Sequence, residues 1–153
     1  MSDLDATDRR ILTVLQKEGR ITNAELSERV NLSPSACHRR TQRLEDEGFI
    51  AGYVALVDAR RLGRPTTVFV EITLQGQADE VLDAFEREVA KIPDILECHL
   101  MAGQADYLLK IMASDTEDFA RIHRQYLSRL PGVRQMHSSF ALRTVVKTTA
   151  LAV

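Results

Sequence analysis

The chain has no tryptophan, two cysteines, four prolines and seven glycines in 153 residues. Cys37 and Cys98 stand 61 positions apart, too few and too far for a disulfide framework or a CxxC pair, which fits a reducing cytoplasm. Apolar runs last only a few residues, so no membrane span is expected, and the N-terminus MSDLDATDRR lacks the apolar core of an export signal. Low-complexity tracts and internal repeats are absent. What is there, 44% apolar and 27% charged, suits a soluble globular protein with length for one domain or two small ones.

A local scarcity is more informative. No acidic residue lies between Arg29 and Leu44, although the whole chain has a formal charge of −2. Arg29, His38, Arg39, Arg40 and Arg43 occupy that stretch. Up to Arg64 there are 11 Lys and Arg against 10 Asp and Glu, and beyond it 9 against 12. A division near Gly63 follows, with residues 1–64 as one domain, 65–153 as the other, and a basic surface confined to a patch of the first.

Asp5 followed by Asp8 marks a helix start, Ile11, Leu12 and Leu15 give its apolar face, and Gly19 is expected to end it as a left-handed cap. Thr22 with Glu25 forms a capping box for a second, short helix. The chain turns at NLS. Ser33 then caps a third helix with Pro34 at its first position, running through SACHRRTQRLEDE to Gly48. Three short helices, the last two joined tightly, make a helix-turn-helix. IAGYVALV next reads as a strand or wing, and DARRLGRP as a linker.

The second half changes period. Val68, Val70, Ile72 and Leu74 alternate in a strand, and Val81, Leu82, Phe85 and Val89 recur at helical spacing within 78–91. ILECHLM and DYLLKIMA are strands around the turn AGQA. Phe119, Ile122, Tyr126 and Leu130 mark a helix over 116–130, and VRQMHSSFALRTVV is a closing strand. The expected class is α+β: an N-terminal winged helix-turn-helix followed by a C-terminal ferredoxin-like βαββαβ domain.

At 100° per residue, Ser35, His38, Arg39 and Gln42 share about one third of the third helix, with Arg43 at the edge and Cys37, Thr41 and Leu44 opposite. Arginine pairs bidentately with guanine and glutamine with adenine, so this face suits base reading in a major groove. Arg40 points sideways, toward a phosphate or an internal salt bridge. Solvated arginines would explain such a stripe alone, but not the capped helix and tight turn before it.

Catalysis finds no convergent set. Cys98 and His99 are adjacent strand residues on opposite faces, and Cys98 is expected to share its face with Leu96 and Leu100 as a core residue. His137, Ser138 and Ser139 meet the same obstacle. Cys37–His38 has no second pair at zinc spacing, and no Gly-rich phosphate loop is present. Neither enzyme activity, metal nor cofactor is expected. A redox role for Cys37 is disfavoured by its inward position.

The segments LDATDRRIL, LQKEGRITNAELSERVNLSPSACHRRTQRLEDEGFI, VFVEITL, ECHLMAGQADYLLKI and RLPGV follow one another in an order that resembles the Lrp/AsnC family of transcription factors, most of all its leucine-responsive branch. The resemblance implies a helix-turn-helix at about Asn23 to Gln42, with Asn23, Ser33, Ser35, His38, Arg39, Gln42 and Arg43 at double-stranded DNA. It also implies a C-terminal domain that dimerises through its sheet, assembles to tetramers or octamers, and binds a small effector, usually a free amino acid. The family's pocket lies near the turn that here contains Met101, Ala102, Gly103, Gln104, Ala105 and Asp106, completed by the last strand with Ser138 and Ser139. Gly103 would admit a close backbone approach, the turn's N–H groups a carboxylate, and Asp106 an ammonium group. A hairpin glycine and a turn-capping aspartate are the plainer roles. The match departs at Ser139, where the leucine-responsive branch carries a bulky aromatic. The rival functions are a ligand-responsive assembly module acting on a protein partner and an effector-independent DNA-architectural protein.

Overall fold

Reciprocal capping sets the start of the first two helices. The Asp5 carboxylate accepts the N–H groups of Thr7 and Asp8, both at 2.8 Å, while Asp8 accepts the Asp5 N–H at 3.3 Å, opening α1 (Ala6–Leu15). Thr22 and Glu25 repeat the device for α2 (Asn23–Val30). Ser33 caps α3 (Pro34–Asp46) with Pro34 in its first turn, where a missing N–H is harmless. Each such cap is worth about 1 kcal/mol. Gly48, at φ +79°, follows the end of α3 in the left-handed conformation that glycine adopts without strain. Gly19 differs from expectation. The end of α1 is right-handed at Gln16, and Gly19 has no positive φ.

The computed structural model describes residues 4–153, which form two units: the chain up to Leu56 with Val146–Val153, and Val57–Val145. In the first, Ile11, Leu12, Leu26, Val30, Cys37 and Leu44 form the buried centre. The end of the chain joins it through Gln16, whose side chain donates to the Leu151 carbonyl at 3.0 Å and accepts the Leu151 N–H at 2.6 Å. IAGYVALV forms no strand. A ladder needs a partner, and among the described residues Val54, Leu56 and Val57 are exposed with no backbone pairing. Tyr53 instead turns back onto α3, donating to Glu45 at 2.9 Å.

The second unit is a four-stranded antiparallel sheet in the order β2-β3-β1-β4: β1 Thr66–Leu74, β2 Ile95–Leu100, β3 Tyr107–Ala113 and β4 Val133–Phe140. Helices α4 (Asp79–Val89) and α5 (Thr116–Gln125) complete the βαββαβ order. On the helix-covered face, Val68, Val70 and Ile72 of β1 and Leu109 and Ile111 of β3 are fully buried with Phe85 and Ile122. Phe85 meets Tyr107 with ring centroids 4.5 Å apart.

Three details depart from the expected pattern. The second helix does not run unbroken to Leu130. Tyr126 leaves helical geometry and a 3-10 turn, Leu127–Arg129, follows, so that Leu127 and Leu130 both reach the core at the i, i+3 spacing such a turn aligns. A bulge between Ile95 and Glu97 leaves Leu96 59% exposed, so Ile95 and not Leu96 joins Cys98 on the core side. The closing strand ends at Phe140, because among the described residues the segment beyond it finds no ladder partner apart from the Ala141 N–H donated to the Thr67 carbonyl.

Phe85→Ala removes a fully buried ring from this core. It should cost about 3–5 kcal/mol, read from urea unfolding followed by circular dichroism.

Candidate functional site

Two groups of residues were expected to carry function, one in each unit. On α3, Ser35, His38, Arg39 and Gln42 are exposed, whereas Cys37 and Leu44 are buried. The junction before the helix is tightly held. Asn31 takes φ 56°, the Leu32 N–H donates to the Ser27 carbonyl at 2.9 Å, and the Asn23 amide donates to the Pro34 carbonyl at 2.8 Å. Ser33 Oγ accepts the Ala36 N–H at 3.2 Å and lies 3.3 Å from Ser35 Oγ. The side chains of Asn23 and Ser33 are thus engaged in shaping the turn. Gln42 bonds Asp46 at 3.0 Å, a contact on the exposed surface.

The arginines divide. Arg40 Nη1 donates to Asp5 at 2.7 Å and to Asp8 at 2.9 Å, and Arg43 Nη2 donates to Asp8 at 2.5 Å. Arg43, expected at the edge of the DNA face, is therefore tied to α1, and Arg40 takes the internal salt bridge that was one of its two options. Arg29 is paired with Glu18. Among the described residues, Arg39 and His38 make no ion pair. The bond from the Asp8 N–H, and then Arg40, hold the Asp5 carboxyl down at about 2. Burial pushes the Cys37 thiol up, away from the reactive thiolate.

In the second unit, Met101, Ala102, Gly103 and Gln104 form the exposed part of the β2–β3 turn, with Ala105 half-buried. Among the described residues, the N–H groups of Ala102 to Ala105 donate to no protein acceptor. Gly103 has no positive φ, and an added Cβ would meet nothing within 4 Å, so among the described residues nothing requires glycine there. Asp106 points inward. Its carboxylate accepts the Leu74 N–H at 2.7 Å and the Gln77 amide at 2.9 Å, while its own N–H donates to the Ile72 carbonyl at 2.8 Å. It is neither free toward the turn nor capping its own backbone. It fastens the turn to the end of β1. The Leu74 bond, then Gln77, hold its carboxyl below the usual range, and the charge of Arg134 adds to this.

Ser138 and Ser139 are exposed on β4, opposite Val70 and Phe69, and alternation sends their side chains to opposite faces. The turn adjoins β3, with β1 between β3 and β4, and lies at the Ile72–Leu74 end of β1. Within one chain the serines and the turn are not brought together.

Sequence reasoning overlooked Asp8 as a partner of α3, and Gln77 and Arg134 as neighbours of Asp106. Asp8 carried a signal, since it lies three and four residues before Ile11 and Leu12 on the apolar face of α1. Gln77 and Arg134 carried none. Among the described residues there is no group of three or more potential metal ligands, and no helix is long and apolar enough to cross a membrane.

A capped helix-turn-helix with an exposed polar and basic face, joined to a βαββαβ unit with an exposed turn, defines a DNA-binding regulator with a ligand-binding domain. Residues 4–51 match the winged helix-turn-helix DNA-binding family, and residues 67–151 match the Lrp/AsnC ligand binding domain. The leucine-responsive regulatory proteins of Escherichia coli K12 and Salmonella typhimurium are each 44% identical to this chain over 151 residues, covering 99% of it and 92% of theirs. The crystal structure of a transcriptional regulator from Neisseria meningitidis in complex with L-Met superposes with a TM-score of 0.93 at 39% identity, covering 97% of this chain and 96% of that one. An AsnC family regulator from Agrobacterium tumefaciens also reaches 0.93, at 32% identity and the same coverage. The chain belongs to the Lrp/AsnC family of transcriptional regulators.

Asp106→Ala orphans the buried Leu74 N–H and should cost about 1–3 kcal/mol at pH 7 by chemical denaturation. Because the folded state lowers this carboxyl's pKa, its contribution is present above the ordinary value of 3.8 and is lost as pH falls through the lower folded value. The gap between wild type and variant should accordingly narrow below about pH 4.

Proposed function

We propose that this regulator acts in the cytoplasm as a homodimer, assembling further to tetramers or octamers, that reads double-stranded DNA with α3 and responds to a free amino acid. The observation that carries the first part is the exposed set Ser35, His38, Arg39 and Gln42 on a helix whose opposite side is buried. Arg39 and Gln42 offer guanine and adenine contacts, while Ser35 and His38 reach bases or phosphates. Asn23 and Ser33 orient the helix, leaving their backbone close to the phosphates. Arg43 acts through Asp8, apart from the base-reading set. Two-fold symmetry would place two such helices in major grooves about 34–36 Å apart, or a multiple of a turn.

Dimerisation through the sheet is supported by its uncovered face. Helices lie on one side only, and Phe69, Glu71 and His137 are exposed on the other. An isologous dimer would cover it. For the effector, the Neisseria meningitidis relative holds L-Met, and the enterobacterial relatives are named leucine-responsive. The unengaged N–H groups of Ala102 to Ala105 suit an amino acid's carboxylate. Gly103 and Gln104 supply two of them, and Met101 borders the set. Asp106 serves as the fastening of this turn, Arg134 offers a cation at the start of β4, and Ser138 and Ser139 contribute from a second chain.

Arg39→Ala should relax base preference at one position of the bound sequence and cost about 1–3 kcal/mol there, read by selection from a randomised duplex pool. Equal weakening on every sequence would make Arg39 a phosphate contact. In a thermal-shift screen against the twenty amino acids, a ligand at 100 times its dissociation constant should add about 2.7 kcal/mol of stability. No response to any of them at millimolar concentration would exclude the amino-acid effector.

A further inference from the structure

The acid-free stretch around α3 is less basic in the folded chain than along the sequence. Arg40 and Arg43 converge on Asp8, whose side chain is 1% exposed, one on each carboxylate oxygen, and Asp5 takes a second bond from Arg40. Two carboxylates of the α1 start thus meet two guanidinium groups, and Glu47 lies 4.0 Å from Arg43 Nε at the surface. A buried carboxylate is strongly unfavourable without its partners, so both arginines cannot turn outward together. Their guanidinium groups are held on the α1 side, and Arg39 remains as the unpaired arginine of α3 among the described residues.

We propose that Asp8 is a specificity-determining positioning residue: it withholds Arg40 and Arg43 from DNA phosphates, so that α3 discriminates among bases instead of gripping any duplex. The inference rests on the reading of α3 as the DNA-facing helix. Non-specific affinity comes almost entirely from cations that displace counterions from phosphates. A recognition helix with three mobile arginines would strengthen every complex alike. Neutralising two of them internally lowers the sequence-independent part of binding and leaves Ser35, His38, Arg39 and Gln42 to supply the difference between sequences. The same bonds hold α3 against α1, fixing the direction in which those four side chains project.

The test uses the full-length protein, a duplex recovered from a randomised pool with wild type, and the same duplex with its bases scrambled. Dissociation constants are measured by fluorescence anisotropy across a salt series for wild type, Asp8→Asn, Arg43→Gln and Arg39→Gln. Asn keeps the volume of Asp8 but carries no charge to balance the two guanidinium groups. Asp8→Asn should tighten binding to the scrambled duplex, shrink the ratio between the two duplexes, and steepen the log–log salt slope by about 0.9 for each arginine that reaches a phosphate, about 1.8 per protomer for both. Arg43→Gln should leave the wild-type slope as it is, whereas Arg39→Gln should change binding to the selected duplex. A folded Asp8→Asn protein with wild-type slope and ratio would overturn the proposal. So would an Arg43→Gln slope shallower by about 0.9 per protomer, and that variant decides the matter if Asp8→Asn does not fold. A wild-type protein whose binding to both duplexes is weak and independent of salt would instead overturn the reading of α3.

Discussion

The carboxylate of Asp8 lies on the apolar side of α1, almost out of solvent, and everything about α3 has to accommodate it. An unpaired charge there would be prohibitive, so the chain supplies Arg40 and Arg43 one turn apart on the facing helix. Their spacing of three residues sets both guanidinium groups on one side of α3. The face left toward solvent then carries Ser35, His38, Arg39 and Gln42. A helix that looks uniformly basic along the chain therefore has two kinds of arginine, one that holds the helix and one that is free for a ligand.

The βαββαβ unit follows a different constraint. Both helices cover one face of the sheet, burying the alternate residues of β1 and β3, and neither helix lies on the other face. Asp106 anchors the β2–β3 turn to the end of β1 through Leu74 and Gln77, so the exposed residues Met101 to Gln104 sit on a firm base. A ligand site built on such a turn needs little ordering when it is filled. Arg64, Asp94, Asp118 and Arg121 form a comparable polar fastening, with Asp94 buried and Arg64 bonded to it at 2.5 Å.

Much of this was legible beforehand because it depends on local chemistry. The capping boxes at Asp5–Asp8 and Thr22–Glu25, the Ser33–Pro34 start of α3 and the alternation of Val68, Val70, Ile72 and Leu74 each need only neighbours along the chain. Misreadings arose where a distant partner had to exist. IAGYVALV has the composition of a strand, but among the described residues no segment offers it a ladder. Leu96 alternates correctly until a bulge shifts the register. Tyr126 fits the helical stripe until the chain tightens to bury Leu127.

Residue pattern alone defined the helix-turn-helix, the order of strands and helices, and the outward set on α3, because periodicity and capping are properties of a few successive residues. The partners of charged groups came from folding. Asp8 meets Arg43 across 35 positions, and Asp106 meets Leu74 across 32. No periodicity reports which carboxylate will be buried beside which donor, since that pairing is chosen when whole elements pack and each buried charge or N–H must find a partner nearby.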